Sequence, residues 1–254
     1  MRKRRIGGEQ VSEIGIGSWD VRDPKAFLDT LLEAFNRGIN LVDTAEMYKT
    51  EPIIGAALKE YGKPDEIFVT TKLYPWHLKE EEECFKALER QRRLLGKVPD
   101  LTLVHWPEHI ALEVKVLEKA AERGLTRMIG VSNVTLEQLR VALESTKKYE
   151  IVAVQNKYSY WFRRTEELLP ELERRGIALQ AHTPLEKGRV SEDPKVRKVA
   201  EKLGAPPVAV ALAWLLTRSP IVIPIPKTEK KEHLMDILKA SEIEMPQWAL
   251  EELG

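Results

Sequence analysis

The feature that most constrains this chain is a regular alternation of two kinds of segment along its length. Short runs rich in β-branched residues are typical of strands buried on both faces of a parallel sheet. Longer charged segments with apolar residues at helical spacing are typical of amphipathic helices. Eight strand-then-helix units follow one another, which predicts a (β/α)8 TIM barrel.

The pattern also predicts where each element lies. The strands are expected at residues 13–17, 39–42, 67–72, 101–105, 128–131, 152–155, 178–181 and 222–224. The helices are expected near residues 25–37, 52–61, 79–95, 111–123, 135–147, 165–175, 206–217 and 230–240, with a last one at 245–252. Residues 184–194 contain glycine and two prolines and are expected to form a surface loop over the active face.

Two features of the chain decide its organisation. Residues 2–10 are typical of a β-hairpin that turns at Gly7 and Gly8, and in a barrel this hairpin could plug the N-terminal mouth. No linker or second style of sequence interrupts residues 1–254, so one barrel domain is expected. A doubly wound open sheet is the competing fold. It would carry a glycine-rich turn after the first strand, and the turn at Gly15 and Gly17 lacks the third glycine.

Composition excludes several classes of function. Lys plus Arg and Asp plus Glu both number 40, so no net charge favours nucleic acid or an anionic membrane as partner. Cys84 is the only cysteine, so no internal disulfide or cysteine metal cluster is expected, and a reducing cytoplasm fits. The charged fraction of 31% and the 15 prolines are typical of proteins from hot environments. Without an evident interface, a monomer is expected.

Chemically versatile residues gather where the predicted strands end. Because active residues of such barrels lie at the C-terminal strand ends, these side chains are expected to meet at one mouth. They include Asp43, Tyr48, Lys72, His105, Ser132, Asn133, Gln155, His182 and Lys227.

Four of these residues could act together to donate a proton to a substrate. An ammonium at Lys72 should lower the pKa of the Tyr48 phenol from its ordinary value of about 10. Asp43 would supply the counter-charge that a buried lysine needs. His105 could donate a hydrogen bond to a substrate carbonyl oxygen. Such a site protonates an oxyanion as hydride reaches carbon, so catalysis is assigned to Asp43, Tyr48, Lys72 and His105.

These motifs resemble those of the aldo-keto reductase superfamily. The run from Asp43 to Tyr48 is similar to its Asp-Thr-Ala-x-x-Tyr segment, and Thr71-Lys72 and His105-Trp106-Pro107 match its lysine and histidine strand ends. Gly130-Val131-Ser132-Asn133 matches a further motif, and the resemblance runs from about residue 15 to 228. It implies a barrel that binds NADPH in extended form and reduces aldehydes or ketones reversibly, with no metal.

The resemblance also implies the binding residues. Ser132, Asn133 and Gln155 would hold the nicotinamide carboxamide, while Lys227 and Thr228 would meet the adenosine 2′-phosphate. Trp19 and Trp106 would line the substrate pocket; the alternative is core packing, which fits Trp106 better than Trp19. The complete set of expected cofactor contacts is Ser132, Asn133, Gln155, His182, Thr183, Leu185, Lys227 and Thr228.

The chain departs from the family in three places. His182 stands where the residue stacked on the nicotinamide is commonly aromatic. Where the family often has an arginine and then a Glu-Asn pair after the lysine, this chain has His233, Asp236 and Ile237, so NADH is possible beside the expected NADPH. The loop after Pro107 is short and the chain stops at Gly254, which predicts an open site with broad substrate selection.

Two other functions remain open from the sequence. A barrel aldolase or lyase would use Lys72 as a Schiff base, although a counter-charge at Asp43 would keep that lysine a poor nucleophile. Some barrels of the resembling family are regulatory subunits that bind cofactor without turnover. All four catalytic positions are filled here, which favours the enzyme.

Overall fold

The computed structural model describes residues 1–254 and shows a barrel of eight parallel strands. Each strand pairs with its neighbours in chain order, and the first and last strand ends are joined by N–H groups of Gly15 and Gly17 donating to Pro224 (3.0 Å) and Pro226 (2.9 Å). The barrel strands are β3 Ile16–Gly17, β4 Leu41–Asp43, β5 Phe68–Leu73, β6 Leu101–Val104, β7 Met128–Ser132, β8 Ile151–Lys157, β9 Ala178–His182 and β10 Val222–Pro224. The predicted fold is confirmed.

The first barrel strand is shorter than predicted. Residues 13–17 were expected to pair, but only Ile16 and Gly17 do so. The reason lies at Glu13, whose N–H donates to the carbonyl of Arg2 (3.1 Å) and whose buried carboxylate pairs with the Arg2 guanidinium (2.9 Å). Glu13 is therefore tied to the N-terminal hairpin and not to the barrel ladder.

That hairpin closes one end of the barrel, as the sequence suggested. Its strands β1 Lys3–Ile6 and β2 Glu9–Ser12 pair antiparallel around Gly7, which has a φ of 56°. Ile6 and Val11 are fully buried and pack in one apolar cluster with residues of the barrel strands. The mouth at the C-terminal strand ends is thus the one left for ligands.

Ten α-helices follow the strands. They are α1 Pro24–Asn36, α2 Glu51–Tyr61, α3 Glu81–Leu95, α4 Ile110–Glu122, α5 Leu136–Ser145, α6 Leu169–Arg175, α7 Pro194–Leu203, α8 Pro207–Arg218, α9 Lys231–Lys239 and α10 Gln247–Leu253. Nine of them match the predicted helices to within a few residues. No single helix has the length and apolar character to cross a membrane; α7 and α8 pass that test only as a pair, bent by 96°.

The helix α7 was not predicted. The Asp193 carboxylate accepts hydrogen bonds from the backbone N–H groups of Lys195 (2.9 Å) and Val196 (3.1 Å), and Pro194 opens the first turn. An acidic cap followed by proline is a helix start, and Gly204 with a φ of 61° ends this helix. The irregular segment before it consists of short 3-10 turns over Glu186–Glu192.

Gly130 in β7 is required by a close approach of two strands. A Cβ at this position would lie 2.4 Å from the carbonyl oxygen of Ala153 and 2.6 Å from a methyl group of Leu103. Because the obstacle is backbone, the strands would have to separate to admit a side chain.

We therefore expect Gly130→Ala to lower the free energy of unfolding by about 2 kcal/mol or more, measured by chemical denaturation. Gly8→Ala is the matched control, because no atom lies within 4 Å of the added Cβ in the hairpin turn. Equal stability of the two variants would show that the strand contact is not limiting.

Candidate active site

The C-terminal strand ends surround a cavity of about 970 Å³. Thirteen of the fourteen residues predicted for the site line it, and the fourteenth, Lys72, lies fully buried behind Asp43. The barrel explains this convergence, because side chains from different parts of the chain are carried to one end by parallel strands. The lining set is Trp19, Asp43, Tyr48, His105, Trp106, Ser132, Asn133, Gln155, His182, Thr183, Leu185, Lys227 and Thr228.

Asp43 and Lys72 form a buried ion pair at the floor of the cavity. The Lys72 Nζ lies 2.8 Å from each Asp43 carboxylate oxygen and 2.8 Å from the carbonyl oxygen of Thr44. An ammonium has three N–H donors, and these three acceptors satisfy all of them. Burial raises the pKa of Asp43 and lowers that of Lys72, while the attraction between them acts the other way on both. The three acceptors favour the charged form.

A line of amides extends from this pair through the barrel. The Gln155 amide donates to Asp43 Oδ1 (2.7 Å) and to Gln180 Oε1 (2.8 Å), and the Gln180 amide donates to Thr70 Oγ1 (2.9 Å). All are buried. Gln180 and Thr70 were missed by the sequence analysis, although a glutamine within an apolar strand was a usable signal. The network fixes the Asp43 carboxylate in place.

Tyr48 ends a 3-10 turn, Glu46–Tyr48, that directly follows β4 and its Asp43. Its ring centroid is 4.8 Å from Lys72 Nζ, and its ring meets that of His105 edge to face at 5.8 Å. Burial, together with the negative charge of Asp43, raises the pKa of Tyr48 above its ordinary value. The expectation that Lys72 lowers this pKa was wrong, because burial opposes the phenolate and the negative charge of Asp43 adds to that effect.

His105 is held as a neutral imidazole. Burial, with the positive charge of Lys72, lowers the pKa of His105 to about 3. Its Nδ1 is buried without a hydrogen-bond partner, and its carbonyl oxygen accepts from the Asn133 side chain (3.0 Å). A neutral ring beside Tyr48 can offer a hydrogen bond at neutral pH without introducing a second positive charge.

His182 belongs to a connected set of polar side chains. The Asn133 amide donates to the His105 carbonyl and to Ser132 Oγ (both 3.0 Å), so Asn133 Oδ1 acts as acceptor towards His182 Nε2 (3.0 Å). Burial, aided by the charges of Lys72 and Lys157, lowers the pKa of His182 to about 4. The neutral ring therefore carries its proton on Nε2, and Nδ1 accepts from Thr183 Oγ1 (3.0 Å).

Aromatic side chains stand around the mouth. Trp19 is 47% exposed and Trp106 is 51% exposed, so the core packing considered for Trp106 is not what this residue does. Lys187, from the loop after β9, lies with its Nζ 4.8 Å from the Trp19 ring centroid. Tyr74 also lines the cavity and stacks on Trp76 at 4.1 Å. Aromatic rings therefore form part of the rim, and the Lys187–Trp19 contact adds one cation to it.

The far end of the cavity, across the barrel from His105, contains Lys227, which follows β10. Its Nζ donates to the Asp20 carbonyl (2.8 Å) and forms an ion pair with Glu229. Thr228, His233, Asp236 and Ile237 line the same region. Glu229 was not singled out from the sequence. No group of three or more His, Cys, Asp or Glu side chains is placed to hold a metal ion.

The chain belongs to the aldo/keto reductase family, whose sequence profile matches residues 13–253. It is similar to the methylglyoxal reductase DkgB of Yersinia pestis, with 31% identity over 216 residues, covering 83% of this chain and 80% of that protein. Relatives of this kind are reductases and dehydrogenases. This chain is accordingly an oxidoreductase of that family.

Two solved structures show the same fold. A thermostable aldo-keto reductase in complex with the inhibitor epalrestat has a TM-score of 0.91 and 31% identity, covering all of this chain and 98% of its own. An aldo/keto reductase from Klebsiella pneumoniae, in complex with NADP and acetate, has a TM-score of 0.91 and 26% identity, covering all of this chain and 94% of its own.

The buried pair should dominate the stability of the site. We expect Lys72→Met to lower the free energy of unfolding by about 3–5 kcal/mol, because Asp43 would be left as an unpaired buried carboxylate. Lys25→Met removes one partner of an exposed pair with Asp29 (3.1 Å) and should leave stability nearly unchanged. Denaturant unfolding of both variants measures the difference; similar losses would contradict the assigned role.

Proposed function

We propose that this protein reduces aldehydes or ketones to alcohols, reversibly, with a nicotinamide cofactor and with Tyr48 as general acid. The observation that carries this proposal is the position of Tyr48 between the buried Asp43–Lys72 pair and the neutral His105, at the floor of one large cavity. The similarity to reductases and dehydrogenases supports it.

The cavity would hold the cofactor in an extended form. Hydrogen bonds link Asn133 to His105 and to Ser132, and Ser132 to Gln155, while the cationic Lys227 lies across the barrel from His105. These residues would hold the carboxamide and the adenosine, with His182 against the nicotinamide and with Thr183, Leu185 and Thr228 as further contacts. When bound, the reduced cofactor supplies the hydride that the carbonyl carbon accepts.

The chain itself supplies the proton. As the carbonyl oxygen gains negative charge, the Tyr48 hydroxyl donates its proton to that oxygen, which completes the alcohol and leaves a phenolate. The raised pKa keeps Tyr48 protonated before the reaction, and an alkoxide is more basic than a phenolate. The Lys72 ammonium, beside the ring, stabilises the phenolate as it forms.

His105 orients the substrate. Its neutral ring, edge to face with Tyr48, would donate a hydrogen bond to the same carbonyl oxygen and leave the oxygen within reach of the phenol. Trp19 and Trp106 would flank the substrate, and their exposure on a rim with short loops favours broad selection of small carbonyl compounds.

The Schiff-base alternative is disfavoured by the placement of Lys72. A lysine nucleophile has to be neutral and accessible, whereas Lys72 is fully buried, does not line the cavity and has all three donors occupied. Borohydride treatment in the presence of aldehyde should leave Lys72 unmodified even where exposed lysines react, and mass spectrometry showing a stable adduct on Lys72 would support the alternative.

A cofactor-binding protein without turnover is the other alternative. It would bind NADPH but oxidise none with a panel of aldehydes.

We also propose a monomer located in the cytoplasm, with NADPH preferred through Lys227 and Thr228. The 31% of charged residues supports heat stability, a property that one structural relative has.

The general acid is tested by Tyr48→Phe. We expect kcat for aldehyde reduction to fall by about a hundred- to ten-thousandfold, because the proton donor is lost, while the Kd of the cofactor changes little. Tyr61→Phe is the matched control, since Tyr61 packs on Phe35 at 5.4 Å outside the cavity. Retention of most turnover by Tyr48→Phe would exclude Tyr48 as the acid.

A further inference from the structure

We infer that Glu229 weakens the binding of the cofactor's 2′-phosphate and thereby allows NADH to be used beside NADPH. The inference rests on the proposed function, in which Lys227 meets that phosphate. Glu229 lies two residues beyond Lys227 and pairs directly with its ammonium. The cation expected to select NADPH therefore already has a counter-charge within this chain.

Lys227 is engaged by two acceptors. Its Nζ donates to the Asp20 carbonyl oxygen at 2.8 Å and to a Glu229 carboxylate oxygen. The two side chains are largely shielded from solvent, with 29% of Lys227 and 16% of Glu229 exposed. A phosphate that approaches Lys227 must compete with Glu229 for the ammonium, and it meets the repulsion of a fixed carboxylate.

Glu229 is anchored so that it does not swing away easily. Its carboxylate oxygens accept hydrogen bonds from the backbone N–H groups of Arg22 (2.8 Å) and Asp23 (3.1 Å). Although burial opposes ionisation, these bonds and Lys227 hold the pKa of Glu229 below its ordinary value, so it is charged at neutral pH. Asp23 also caps α1 by accepting from Ala26 N–H (3.0 Å), which fixes this loop further.

The other charged side chains at this end of the cavity do not offset the negative charge of Glu229. The Arg22 guanidinium pairs with the Asp20 carboxylate (3.1 Å), and Lys187 lies over Trp19. Asp236 adds a carboxylate to the cavity wall. Of the lining cations, Arg22 and Lys227 are each paired with a carboxylate and Lys187 lies over an indole ring, which is unfavourable for a dianionic phosphate. An uncharged ribose diol suffers no such repulsion and can donate its hydroxyl groups to carboxylates.

The test is equilibrium binding of NADPH and NADH, followed by quenching of tryptophan fluorescence, which requires no turnover. In the wild-type protein we expect the two Kd values to differ by about tenfold or less. Glu229→Gln removes the charge but keeps an acceptor for the loop N–H groups, and it should raise the preference for NADPH by about tenfold. Glu232→Gln removes an exposed charge on α9 and should leave the ratio unchanged.

A second substitution makes the result independent of loop damage. Lys227→Met should raise the Kd of NADPH by less than about tenfold, because the lysine is already paired. In the double variant it should cancel the increase in NADPH preference that Glu229→Gln causes alone. An unchanged ratio in Glu229→Gln, or a wild-type preference for NADPH of about a thousandfold, would overturn the inference. If neither cofactor binds, the proposed function falls and this inference falls with it.

Discussion

The ion pair between Asp43 and Lys72 is the interaction on which the site depends. It brings two charges into a fully buried position, where each is costly without the other. The barrel makes this pairing possible because β4 and β5 are adjacent: β4 ends at Asp43, opposite Thr70, and β5 continues past Thr70 to Lys72 and Leu73. The third acceptor, the Thr44 carbonyl, comes from the residue that leads towards Tyr48.

The same pair determines the electrostatics of its neighbours. With Asp43 beside it, Lys72 does not make Tyr48 acidic, so Tyr48 starts as a protonated phenol. Burial, and after it the positive charge of Lys72, lowers the pKa of His105 and of His182 and keeps both rings neutral. Burial and this one charged pair together account for a protonated Tyr48 and for neutral rings at His105 and His182. At the far end of the cavity, the carboxylate of Glu229 offsets the positive charge of Lys227.

Much of this arrangement could be predicted from the sequence. The alternation of apolar runs and amphipathic segments is local information, and it located eight barrel strands and nine helices. The site residues followed because the barrel rule turns positions at strand ends into neighbours in space. The short β3 and the helix α7 show the limit of such patterns: Glu13 left the strand for a partner eleven residues earlier, and the start signal at Asp193 was hidden among loop-forming residues.

The errors within the site have a common physical cause. The direction of the Tyr48 pKa depends on burial and on the partner of Lys72, neither of which a motif records. Likewise, Lys227 was recognised as a cation, but Glu229, two residues further on, was not recognised as its partner. The hydrogen bonds that hold Glu229 come from residues 22 and 23, more than 200 positions away. The net charge around Tyr48 and around Lys227 could therefore be judged only from the folded structure.

The most direct test of the account follows the hydride to the product. The wild-type protein is mixed with aldehyde and NADPH carrying deuterium at both positions of the hydride-donating carbon, and the products are analysed by mass spectrometry. The account predicts one alcohol per cofactor oxidised, with deuterium on the carbinol carbon and an unmodified Lys72. Bound cofactor without oxidation, or product formed without transfer of deuterium, would contradict it.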